Sequence, residues 1–363
     1  MKPTFPHMGT IGVLGEAILR RFGREVILPP KTSKRTLTLG SRYSPEFACL
    51  PLKVTLGNLI EALERGADTI VMLAAGGPCR FGYYATLQNL ILKNLDYEYE
   101  LITLDYDMPN NLRKLKRLAQ GKNWLQIGEA FRFGFLKLLT LEKMERLAHR
   151  IRPYEIKKGS TTKAYDEASR IIRRTFSFRK LRWAKREATS LLKKIPQDRT
   201  RNPLKVGVVG ETYTVLEPYV NLEVERKLGE MGCEVHRPVW ATEYMISMLP
   251  IFNRWGPRRK YRKAAKPYLK EEAGGECIVS IGGTVLYAKR AFDGIVHIAP
   301  FTCLPEIVAQ GILSKVRKDL GIPILTLVLD EHTAQAGLIT RLEAFVDLLQ
   351  RKQARQKMKG KQG

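Results

Sequence analysis

Two short runs constrain this chain more than any other feature: DTIVMLA, beginning at Asp68, and DGIVHIA, beginning at Asp293. Each is a continuous apolar stretch of strand length. An acid opens it and a glycine- or proline-bearing turn follows, which is the pattern of a strand buried on both faces. Neither run stands alone. Amphipathic GTIGVLGEAILRRFG, strand-like EVIL and helical NLIEALERG precede the first, and helical YYATLQNLILKNL and strand-like YELITLD follow it. Around the second lie KVGVVG, CEVHRP and PILTLVLD as strands, with NLEVERKLGEMG and EIVAQGILSKVRKDLG as helices. ECIVSIGG is a further candidate strand.

Helices and strands alternating at these lengths predict an α/β fold with parallel sheets covered by helices. FGREVILP and MGCEVHRP add a second echo, Gly-x-Glu-Val-x-x-Pro, with Gly23 and Gly232 expected to end the preceding helices. Both echoes occur in the same order, which suggests two lobes related by a weak internal repeat. The alternative is that any helix–strand unit ends in glycine and fills its strand with Ile and Val. Between the lobes the chain turns helical, basic and aromatic. The expected organisation is an N-terminal α/β lobe over 1–108 and a basic helical subdomain over 109–202. A C-terminal α/β lobe over 203–350 and a basic, frayed tail over 351–363 complete it.

Composition narrows the function classes. Hydrophobic residues make up 44% of the 363, enough for substantial cores. No run of about eighteen apolar residues occurs, so a membrane span is not expected. The N-terminus lacks the order of a signal peptide, and a cytoplasmic protein is expected. Lys and Arg number 62 against 36 Asp and Glu, a net charge of +26. That excess concentrates anionic partners and can drive non-specific nucleic-acid binding, but no reading motif such as a helix-turn-helix accompanies it.

Cysteine is scarce, with five in the chain, yet CLP occurs twice, at Cys49 and at Cys303. Cys79, in GGPCRFGYY, and Cys303 each follow a DxIVxLA-type strand, on the sheet edge where open α/β folds bind ligands. Cys49 and Cys303 are followed by Pro51 and Pro305, residues suited to a helix's first turn. A helix N-terminus favours thiolate over thiol, so three such cysteines facing one crevice would form a metal site. Zinc sites draw on close Cys pairs, and this chain has none. A cubane 4Fe-4S cluster is normally held by four thiolates, so three would leave one iron open to water or substrate. The alternative for each cysteine is a small buried hydrophobe, and that reading is preferred for Cys233 and Cys277.

At FPHMGT, CLPLKVTLGN, GGPCRFGYY, VVGETYTVLEPYVNLEVERKLGEMGCEV, FDGIVHIAPFTCLPEIVA and TRLEAFVDLL the sequence resembles the 2-hydroxyacyl-CoA dehydratase components. The likeness is to the poorly characterised branch of iron–sulfur D-component-like proteins associated with the activase. It covers most of both lobes and is weakest across the basic middle. The resemblance implies two flavodoxin-like (Rossmann-like) lobes with helical additions and an oxygen-sensitive cluster held by Cys49, Cys79 and Cys303. A single 4Fe-4S cubane is favoured over a double-cubane cluster, whose six ligands five cysteines cannot supply. The partner it implies is an ATP-dependent activase of the actin-like ATPase superfamily, which injects a low-potential electron. An acyl-CoA or other small substrate would accept it, and a second dehydratase-like subunit or a homodimer is a further expected partner. Nothing in the sequence identifies an acyl-CoA pocket, and GVVGETY lacks the Gly-Lys-Ser/Thr of a phosphate loop.

Secondary candidates surround these positions. Lys53 could offset cluster charge or be a solvated helix lysine, and Tyr83 or Tyr84 could hydrogen-bond a ligand, although packing is the simpler role for the tyrosines. Glu211 is read as the cap of the turn after KVGVVG rather than a crevice group, His332 as a surface-loop residue rather than a fourth ligand or proton donor, and Arg341 with Glu343 as a structural ion pair. Two other functions compete: a non-catalytic electron carrier or cluster-bearing subunit, and a basic nucleic-acid-binding protein with structural cysteines.

Overall fold

The computed structural model describes residues 1–74, 79–105, 107–247, 256–271 and 273–359. The chain divides into two compact units, one comprising Met1–Thr140 with Phe176–Leu181 and the other Leu141–Thr175 with Arg182–Gly363. It is a mixed α/β protein with one parallel sheet in each unit.

In the first unit β1 (Pro3–Thr4) leads to α1 (Ile11–Arg21), α2 (Lys34–Tyr43) and α3 (Leu50–Leu63). β2 (Thr69–Leu73), α4 (Tyr84–Asn94), β3 (Glu100–Leu104) and α5 (Met108–Leu118) follow, then the long α6 (Trp124–Ile151), which runs on into the second unit. The sheet order is β1-β2-β3, all parallel. Gly23, at φ +86°, closes α1 as the sequence predicts. EVIL is not a strand. Only the Ile27 amide reaches the Pro3 carbonyl, at 3.0 Å. Prolines explain the shortfall, because Pro3 and Pro6 on one side and Pro29 and Pro30 on the other remove the donors a ladder needs.

Every residue of α3 is buried, so its polar side chains must find partners inside. Asn58 accepts from the His7 amide at 3.1 Å, Gln88 donates to Thr55 at 2.7 Å, and Thr36 donates to Glu61. Each fully buried Leu or Ile of this helix contributes roughly 1.5–3 kcal/mol. α2 crosses α3 at glycine on both sides: a Cβ on Gly40 would lie 1.6 Å from the Lys53 carbonyl oxygen, and one on Gly57 would lie 1.9 Å from that of Thr36.

α7 (Ser160–Arg173) and α8 (Phe178–Lys193) complete the helical middle. The second sheet then begins with β4 (Leu204–Gly210), followed by α9 (Thr212–Leu216), α10 (Val224–Glu230), β5 (Cys233–His236), α11 (Ala241–Ser247) and α12 (Arg259–Ala265). α13 (Cys277–Lys289), β6 (Gly294–Pro300), α14 (Leu304–Leu320), β7 (Ile324–Leu329) and α15 (Gln335–Lys359) follow. The order β5-β4-β6-β7 is parallel throughout, with Val208 opposite Val296 at its centre. The chain therefore reverses its direction of sheet growth between β4 and β6, the switch point where open parallel sheets hold ligands beyond the strands' C-terminal ends.

Three further expectations change. ECIVSIGG is helical: it opens α13, whose apolar residues are buried all round, a pattern that short apolar runs share with buried strands. Gly282 lets α12 pack closely against this helix, since a Cβ there would sit 2.1 Å from the Tyr261 carbonyl oxygen of α12. The basic tail is helical as far as Lys359 rather than frayed. Arg341 donates to the Thr326 carbonyl at 2.6 Å instead of pairing with Glu343.

Both sheets open with the same reciprocal pair. The Lys2 amide donates to the Asp68 carboxylate at 2.5 Å while the Asp68 amide donates to the Lys2 carbonyl. Lys205 and Asp293 repeat the arrangement, with the carboxylate contact at 2.7 Å.

Candidate functional site

Cys49 caps the N-terminus of α3 with extended backbone, and Pro51 occupies its first turn. Cys79 caps the 3₁₀ turn Arg80–Tyr83, which continues directly into α4 at the C-terminal end of β2. Two contacts bring these loops together. Arg80 donates to the Phe47 carbonyl at 3.2 Å, and the Tyr84 hydroxyl meets Cys49 Sγ at 2.6 Å. Tyr84 is buried and packs on Phe81 with ring centroids 5.0 Å apart, whereas Tyr83 is exposed. Lys53 is buried rather than solvated, and its ammonium donates to the Glu46 carbonyl at 3.0 Å, tying down the loop before Cys49. Residues 75–78, the first part of the GGPC motif, lie outside the described residues.

In the second unit Cys303 caps α14, with Pro305 in the first turn and Thr302 before it at φ +63°. The thiol is nearly buried at the C-terminal end of β6. Beneath it lies a polar cluster that sequence reading missed. Glu306, one turn into α14 and wholly buried, accepts from His297 Nε2 at 2.8 Å and from the Ser280 hydroxyl at 2.9 Å. His297 points from the middle of β6 and Ser280 from α13, so strand, helix and helix start converge on one carboxylate. A Glu three residues after a helix-capping cysteine was the only local sign of it.

Glu211 sits at the end of β4, beside the same switch point. Gly210 before it holds φ +148°, and a Cβ there would lie 2.0 Å from the Ile298 carbonyl oxygen, so glycine is required where β4 passes β6. The Glu211 carboxylate caps α9 as the sequence suggests, accepting from the Tyr213 and Thr214 amides at 2.9 and 2.8 Å. It keeps some exposed surface, yet burial lifts its pKa to about 7 against the lowering effect of those amides, with Glu306 adding to the rise. Burial raises Glu276 as well, although Arg258 pairs with it. The ligand edge of this sheet thus carries Glu211, Glu276 and Glu306 together, and burial raises the first two of these carboxyl groups above the usual carboxylate range.

Burial pushes the thiols of Cys233 and Cys277 up to about 12, and both stay protonated. His332 is exposed, its amide turned onto Asp330. Elsewhere in the second unit Glu145, His149 and Glu225 place ligand atoms within 4.8 Å of one another. Arg237 already supplies the cation there, bridging Glu145 at 3.0 Å and Glu225 at 2.6 Å from a nearly inaccessible position. Burial, and after it the neighbouring Arg237, hold His149 neutral, well below its usual range. This is a buried ion network.

No model of a known protein family matches the chain, and no curated protein matches it. Among the described residues no helix is long and apolar enough to cross a membrane.

Proposed function

We propose that this chain is an iron–sulfur protein of the 2-hydroxyacyl-CoA dehydratase-component kind. In this reading it accepts a low-potential electron from an ATP-dependent activase in the cytoplasm and delivers it to a substrate such as an acyl-CoA, as a lyase- or reductase-type component. Cys49, Cys79 and Cys303 would be the ligands of one 4Fe-4S cluster. The observation that carries the proposal is positional: each of these three cysteines caps a helical N-terminus, while Cys233 and Cys277 are thiols held protonated by burial.

The donor set suits such a group. Helix N-termini favour the thiolate form, and the Tyr84 hydroxyl can donate to Cys49 sulfur, which tunes a sulfur ligand's basicity. A bound cluster would supply one-electron chemistry at low potential and, where no thiolate holds the iron, a position for a substrate oxygen. The chain's own groups orient the ligands: Arg80 ties the Cys79 loop to the Cys49 loop, and Lys53 anchors the segment before Cys49. In the second unit Glu306 and its partners fix the start of α14 behind Cys303.

The finer architecture belongs to the same proposal: two flavodoxin-like lobes related by an internal repeat, with 109–202 as a helical insertion. The matched Lys2–Asp68 and Lys205–Asp293 pairs support it, as does the correspondence of β1-β2-β3 with β4-β6-β7.

Anaerobic purification, iron and sulfide counting, and EPR of the dithionite-reduced protein test the reading. About four irons and four sulfides per chain are expected. Cys49→Ser, Cys79→Ser and Cys303→Ser should each lower that content, and Cys277→Ser should not. Protein without iron or sulfide, or contents indifferent to all three changes, would overturn it.

A further inference from the structure

α8 presents a face that the redox reading leaves unused. From Phe178 to Lys194 the sequence holds seven Lys or Arg residues and a single acid, Glu187. At 100° per residue, buried Leu181, Ala184, Ala188 and Leu192 define the inward side. Arg182, Arg186, Ser190 and Lys193 therefore point outward, with Trp183 among them. Arg182, Arg186 and Lys193 are exposed, and Trp183 is 59% exposed. Among the described residues no carboxylate lies within ion-pair distance of Arg182, Lys185, Arg186, Lys193 or Lys194, although shorter-spaced pairs such as Arg170–Glu167 form on neighbouring α7.

We infer that this segment of α8, Arg182–Lys193, is a docking surface for single-stranded nucleic acid. Charge complementarity selects a polyanion, and the geometry selects its kind. Arg182 to Lys193 spans about 16 Å along the helix, long enough for its cations to meet several consecutive phosphates of one strand. The guanidinium forks of Arg182 and Arg186 suit phosphate oxygens, and they lie one turn apart on the same flank of Trp183. An exposed indole beside phosphate-binding cations gives an unpaired base a flat surface to stack on. A run of Asp and Glu would use the charges but offers no ring to the tryptophan, and a duplex keeps its bases stacked inside. The surface is independent of the cluster, so its failure and the failure of the redox reading are read out separately.

The test is fluorescence anisotropy with the full-length chain and a labelled uridine-rich RNA of about 20 nucleotides, or its DNA equivalent, between about 50 and 200 mM salt. Saturable binding that weakens steeply with salt is expected. Arg182→Glu with Arg186→Glu should cost at least about tenfold in affinity. Lys315→Glu with Lys318→Glu, the same change in charge on exposed positions of α14, should cost less than about threefold. Trp183→Ala should weaken binding by about five- to tenfold with the charge unchanged, and Trp183→Phe should retain most of it. Melting curves of each variant establish that it is folded. The proposal fails if neither strand binds saturably, or if the two charge reversals weaken binding equally. It fails also if Trp183→Ala binds as the parent does, or if polyglutamate displaces the RNA at equal charge.

Discussion

Arg237 shows most sharply how one residue can hold a region together. Its guanidinium, nearly removed from solvent, pairs with Glu145 on α6 and Glu225 on α10, and the Trp240 ring lies 4.0 Å from it. Burial, with the nearby Glu145 carboxylate adding to it, raises Glu225 to about 7 against the opposing Arg237 guanidinium. Arg237→Ala removes the cation and leaves two buried carboxylates facing each other. A loss of about 3–5 kcal/mol in chemical denaturation is expected. Replacing all three as Arg237→Met, Glu145→Gln and Glu225→Gln should recover much of it, because no unpaired charge then remains. A single-variant loss below about 1 kcal/mol would show that the buried pairs do not carry this region.

Among the elements, the α2–α3 crossing is set by what is missing. Gly40 and Gly57 let two backbones touch, so α3 can be wrapped on every side and can carry Asn58 and Glu61 inside. Gly57→Ala forces the Thr36 carbonyl away, and Gly40→Ala does the same to Lys53. Each should cost at least about 1–3 kcal/mol, because neither obstacle is a movable side-chain end. Melting temperatures of the two variants and of a Gly128→Ala control would measure this, since a Cβ on Gly128 meets nothing within 4 Å. The crossing also positions Cys49. Loosening it should expose that thiol to a maleimide reagent faster than the control does.

Over the whole molecule, buried titratable groups set the dependence of stability on pH. Glu211 has its pKa raised from 4.5 to about 7, so its contribution is complete below about 4.5 and is lost as pH rises through 7. His149 is depressed below 6.5, so its contribution is present above that pH and is lost as pH falls. The two effects oppose each other and narrow the range of greatest stability. Glu211→Gln should therefore match the parent near pH 5 and become progressively more stable relative to it towards pH 8. The difference should grow by on the order of 1 kcal/mol per pH unit within the titration window. Denaturant midpoints at pH 5, 6, 7 and 8 measure it, and parallel profiles would show that Glu211 does not titrate there.

What the sequence determined by itself was local. Apolar runs of strand length separated by helical periods identify β2, β4, β6 and β7. Glycines after α1 and α10 mark helix ends, and prolines after Cys49 and Cys303 mark helix starts. Such signals lie within a few neighbouring residues, where propensity and capping act. Tertiary structure decided the rest. ECIVSIGG proved helical because its apolar run is buried all round, a pattern a helix and a strand share, and EVIL lost its ladder because its partner strand is short and flanked by proline. The cluster of Glu306, His297 and Ser280 draws on β6, α13 and α14, and Arg237 joins α6 to α10. Burial and charge pairing depend on neighbours far away along the chain, and only folding brings those neighbours within reach.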